Sequence, residues 1–115
     1  MAFNPLKSII LKTLRNRLAK IQKVEPEQIT SVEFKVDKVN NKLGIFSNIG
    51  GAENNLDEFS EFSEMLETQF SKKIKVHKLV YYTLAINFAQ KSVNSELFYE
   101  DEKGNKLNLT INDVF

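Results

Sequence analysis

The sequence predicts a single α+β domain over residues 1–115, in the order α-β-β-α-β-β-β, with two amphipathic helices covering a mostly antiparallel five-stranded sheet. Three observations carry this. From Ile74 to Phe88 every second residue except Lys78 is apolar: Ile74, Val76, Val80, Tyr82, Leu84, Ile86, Phe88. That period of two marks a strand with one face against a core. Two further stretches repeat apolar residues at helical spacing, and shorter alternating runs are joined by turn residues. The long strand, which would reach about 50 Å unbroken, is the spine of the predicted sheet.

Asn4-Pro5 opens the first helix, with Asn as cap and Pro at its first position. Leu6, Ile10, Leu14, Leu18 and Ile21 form its apolar stripe, and Glu25-Pro26 stops it after about Lys23. Val32, Phe34 and Val36 then alternate with Glu33, Lys35 and Asp37 as a strand with one buried and one wet face. A two-residue turn at Asn40-Asn41 would return the chain along Leu43, Ile45 and Ile49, pairing Val36 with Ile45 and Val32 with Ile49. Gly50-Gly51 should break that strand. Asn54 or Asn55 caps the second helix, whose stripe is Leu56, Phe59, Phe62, Leu66 and Phe70.

After the spine strand the chain should turn at Ser92–Ser95. It forms a strand over Leu97-Phe98-Tyr99, turns at Glu102–Asn105, and returns along Leu107, Leu109 and Ile111, with Asp113–Phe115 as tail. Pairing hairpin neighbours first gives the order second-first-fifth-fourth-third, which puts the spine strand at an edge. No internal repeat is visible. The element order resembles that of the roadblock and profilin-like α/β folds. The resemblance implies a non-catalytic adaptor that dimerises. The order α-β-β-α also resembles KH domains, but the phosphate-clamping GXXG loop is missing: Gly50 and Gly51 are adjacent.

Composition limits the chemistry. The chain has no cysteine, which excludes disulfides, thiolate metal sites and cysteine nucleophiles. One histidine, His77, cannot build a multi-histidine metal site. No nucleophile elbow, P-loop or dinucleotide fingerprint is present. The expectation is therefore no enzyme, no catalytic, metal or cofactor-binding residue, and no cofactor. No apolar run approaches the roughly 20 residues of a membrane span, and no secretory signal is visible, so a cytoplasmic location is expected.

Charge is segregated. Lys7, Lys12, Arg15, Arg17, Lys20 and Lys23 precede any acid, whereas Glu53, Asp57, Glu58, Glu61, Glu64 and Glu67 precede the first lysine of the second helix. The two helices could pair their charges across one sheet face. Alternatively, Lys12, Arg15, Lys20 and Lys23 could meet nucleic acid or another anionic surface, or the first helix could be an organellar presequence. The favoured expectation is a small protein–protein interaction module, self-associating as a homodimer. Its candidate partner surface is Leu79, Tyr81 and Lys78 on the spine edge, with Asp57, Glu61 and Glu64 on the acidic helix.

Overall fold

The structure is a computed structural model and describes residues 5–73 and 78–114. Helix α1 (Pro5–Gln22) ends at Lys23, which takes the left-handed conformation at φ 58°. The Lys23 N–H donates to the Lys20 carbonyl at 3.4 Å and the Val24 N–H to the Ala19 carbonyl at 3.0 Å. These two bonds satisfy carbonyls that the helix end would otherwise leave open, as in a Schellman motif. A 3₁₀ turn, Pro26–Gln28, leads into β1 (Ser31–Asp37), β2 (Lys42–Ser47) and β3 (Gly50–Asn55). A second 3₁₀ turn, Leu56–Phe59, precedes α2 (Ser60–Lys73); the Asn55 side chain caps it by accepting from the Asp57 N–H. β4 (Lys78–Asn87), β5 (Ser92–Glu100) and β6 (Lys106–Ile111) complete the chain.

The sheet has six strands in the order β3-β2-β1-β4-β5-β6, and every neighbouring pair is antiparallel. The expected five-stranded sheet lacked β3. Gly50-Gly51 begins that strand instead of breaking one, because ladder bonds need backbone and not side chains. The Phe46 ring lies over the glycines: a Cβ on Gly44 or Gly51 would come within 2.7 or 2.4 Å of it. The ring shields backbone that the glycines leave bare.

The strand order also differs from expectation. β4 is central, between β1 and β5, and its buried residues Tyr82, Leu84 and Ile86 sit beside Val36, Phe34 and Val32. Ile74 and Val76 lie outside the described residues. The first hairpin has a four-residue loop, Lys38 to Asn41, so Val36 pairs with Leu43 and Phe34 with Ile45. Asp37 holds this loop. Its Oδ1 accepts from the Val39 and Asn40 N–H groups at 3.0 and 3.1 Å, and Asn41 closes it at φ 55°. Ile49 falls in the β2–β3 turn, largely exposed. Ser92–Ser95 is strand, the turn lying just before it, and Val114 is a core residue whose N–H donates to the Val93 carbonyl.

Both helices pack on one face. Leu11, Leu14 and Leu18 of α1 join Leu66 and Phe70 of α2 over Val32, Phe34, Leu43, Ile45, Leu84 and Leu97. The Phe62 ring stands 5.5 Å from Phe34, and Phe70 meets Tyr82 edge-on at 5.3 Å. The shortest dimension is 20 Å, the thickness of one sheet and one helix layer.

The halves α1-β1-β2-β3 and α2-β4-β5-β6 repeat one plan, a repetition of topology that the side-chain pattern does not display. The central β1–β4 ladder has local twofold symmetry about Phe34↔Leu84, with Ser31↔Asn87 answered by Asp37↔Tyr81. Beyond its ends, Lys38 N–H donates to the Val80 carbonyl and Phe88 N–H to the Thr30 carbonyl, each at 3.0 Å. The loops correspond as well: Asn87 Oδ1 accepts from Gln90 N–H much as Asp37 accepts from Asn40, and Lys91, like Asn41, is left-handed.

Candidate functional site

The expected partner surface depended on β4 being an edge, and its central position removes that edge. A bulge between Leu79 and Tyr81 then separates residues that simple alternation places together. Leu79 pairs with Tyr99 and packs against the core, while Tyr81 stays on the helix-free face, 5.7 Å from the Phe98 ring. Lys78 does not point inward. It is exposed and pairs with Glu100 at 3.7 Å. The three tyrosines of the chain do not converge on one pocket: Tyr82 is buried under α2, Tyr99 packs on the core side, and Tyr81 is on the opposite face.

The described edges are β3 and β6, and they differ. β3 carries Glu53 at its middle and two glycines at its start, and the Gln22 side chain of α1 reaches the Gly50 carbonyl at 3.4 Å. β6 reads Lys-Leu-Asn-Leu-Thr-Ile, and after Lys106 no charged residue occurs until Asp113. Leu107, opposite Tyr99, is 41% exposed, and Asn108 and Thr110 are exposed on the other face. A depression of about 350 Å³ beside it is lined by Val39, Val80, Phe98, Tyr99 and Leu107. Sequence reasoning identified the alternation of Leu107, Leu109 and Ile111 but not the position of the strand at the rim. The signal was there: an alternating strand whose one charge, Lys106, stands at its first residue leaves the rest of its length unguarded.

The charged candidates are dispersed. Asp57, in the 3₁₀ turn before α2, and Glu61 and Glu64 on α2 are exposed, and Glu67, one turn on, pairs with Lys38 of the β1–β2 loop. Lys12, Lys20 and Lys23 are exposed on α1. Arg15 is engaged: its Nε donates to the Ile29 carbonyl at 2.9 Å, an Nη donates to the Glu27 carbonyl at 3.4 Å, and the guanidinium lies over Phe88 at 5.3 Å. Arg17 lies over the Phe59 ring at 5.0 Å.

For chemistry, the perturbed groups are structural. Burial, and secondarily Glu67, push the Tyr82 phenol far above its ordinary range, so it stays neutral. Its hydroxyl is buried without a partner among the described residues. His77 lies outside the described residues, and among those described no group of three or more acids or histidines could hold a metal ion. No described helix is long and apolar enough to cross a membrane. No family model, curated protein or solved structure matches the chain. The surface therefore offers strand edges and an aromatic-bearing sheet face.

Proposed function

We propose that this protein is a small non-enzymatic protein–protein interaction module that self-associates through its sheet. The observation that carries the reading is the sheet's incompleteness: six strands, helices on one face only, and two outer strands that pair on one side only among the described residues. An outer strand presents unpaired N–H and C=O groups to any extended partner. The helix-free face adds Phe46, 43% exposed, and the Tyr81–Phe98 pair. Sedimentation equilibrium from about 5 to about 200 μM tests the proposal, a range that spans ordinary weak dimers. The expected result is a concentration-dependent rise from the 13.3 kDa monomer mass to twice that value. A monomer throughout would overturn self-association.

A further inference from the structure

Strand β6 is an edge whose one safeguard, the exposed Lys106, stands at its first residue. Exposed strands are normally blunted by an inward charge, a proline, a bulge or a cover. From Leu107 to Asn112 there is no charge and no proline. Among the described residues β6 pairs only with β5, in register from Ser95↔Ile111 to Glu100↔Lys106. β3, by contrast, carries Glu53 at mid-strand and Gln22 against Gly50. The two rims are therefore not equivalent, and β6 is the one open to pairing.

The sequence of β6 is self-complementary. Its helix-side residues are Leu107, Leu109 and Ile111, and Asn108 and Thr110 face the other way. We infer that the partner of β6 is β6 of a second copy, paired antiparallel about a twofold axis at Leu109. This rests on the reading of the protein as a self-associating module and names its interface. A twofold perpendicular to the sheet keeps each face on its own side, so residues opposed across it must share a face. Centring on Leu109 meets that condition throughout. Leu109 meets its own counterpart, Leu107 meets Ile111, and Asn108 meets Thr110.

Charge agrees with this register. Lys106 falls opposite Asn112, so no like charges are opposed, an arrangement that would otherwise be destabilising. The leucines and isoleucines of the two copies form one apolar row on the helix side. This removes the exposed Leu107 from water and brings the second copy beside the depression lined by Val39, Val80 and Tyr99. The result is a closed dimer with one continuous twelve-strand sheet, six strands from each copy. Pairing β6 with β3 of another copy would leave free ends and propagate, as heterologous contacts do.

The absence of native cysteine makes the register directly testable. Directly opposed antiparallel residues have Cα atoms about 4.5–5.5 Å apart, within the roughly 4.4–6.8 Å that a disulfide spans. Under mild oxidation Leu109→Cys should cross-link to a dimer, whereas Glu53→Cys on the other rim should stay monomeric on a non-reducing gel. The double variant Asn108→Lys/Thr110→Lys, both exposed and directly opposed, should weaken dimerisation roughly tenfold or more by like-charge contact. Its unchanged circular dichroism would confirm folding. A wild-type dimer that ignores the double variant, or that cross-links through Glu53→Cys, overturns the β6 pairing and leaves self-association standing. Higher oligomers that grow with concentration overturn the closed dimer in favour of propagation. A monomer throughout overturns both.

Discussion

Two side chains show how this fold handles polar groups, one inside and one outside. Tyr82 is fully buried beneath Phe70, and its hydroxyl has no hydrogen-bond partner among the described residues. A buried unpaired hydroxyl forfeits its hydration without return. Tyr82→Phe should therefore leave stability unchanged or raise it by up to about 1 kcal/mol, read as a urea midpoint shift at constant slope. A loss of similar size would mean that the hydroxyl has a partner. Asp37 is the exposed case. The Asn40 side chain, then the backbone N–H groups of Asn40 and Val39, hold its carboxyl below the ordinary value of 3.8, with a smaller opposing push from burial. A lowered folded pKa stabilises the fold above the unfolded carboxylate range, and the effect is lost as pH falls through the folded value. The Asp37 carboxyl should therefore titrate below 3.8 by NMR, with the Val39 and Asn40 amides reporting the same midpoint. Asp37→Asn should remove that titration from both amides.

At the scale of elements, the parts defined by periodic apolar residues were legible. Of the stripe Leu56, Phe59, Phe62, Leu66 and Phe70, all but the half-buried Phe62 are buried, and so are Tyr82, Leu84 and Ile86, whereas Ile21, read into the stripe of the first helix, is exposed. What was illegible had no side-chain period to read. β3 is Gly-Gly-Ala-Glu-Asn-Asn, composed of residues that strands usually disfavour. It exists because β2 offers a ladder and Phe46 covers the glycines. The hairpin register was missed by two residues because Asp37 and the left-handed Asn41 build a four-residue loop where two had been expected. Alternation along the spine breaks at the bulge, which is why Leu79 and Tyr81 part company. Left-handed lysines mark the remaining local cost. Lys23 ends α1 at φ 58°, a conformation that strains any residue with a Cβ and leaves glycine unstrained. Lys23→Gly should raise stability by about 0.5–1 kcal/mol, measured by thermal or urea melting. A loss would mean that the lysine side chain contributes more than its backbone strain costs.

At the scale of the molecule, the preference for pairing hairpin neighbours holds inside each half but does not say how the halves join. They join through β1 and β4, the first strand of each meander, and this places the longest strand at the centre. The bearing of charge on function also changes at this scale. Read along the chain, α1 is a run of cations. In the folded molecule Arg15 is bonded to the carbonyls of Ile29 and Glu27, and Arg17 lies over Phe59. Lys20 and Lys23 sit at the helix C-terminus, where the dipole already favours cations. Of the four residues first grouped as a polyanion surface, three remain exposed, on a chain with net charge +1. Three phosphate contacts on a single strand give a slope of log affinity against log salt no steeper than about −2. The expected outcome is weak oligonucleotide binding, no tighter than about 10⁻⁴ M at physiological salt. Lys12→Gln/Lys20→Gln/Lys23→Gln should flatten that slope and weaken the binding further, since the three contacts are then gone. Fluorescence anisotropy across a salt series measures both quantities. A much steeper slope, abolished in the triple variant, would make α1 rather than the sheet edge the principal binding surface.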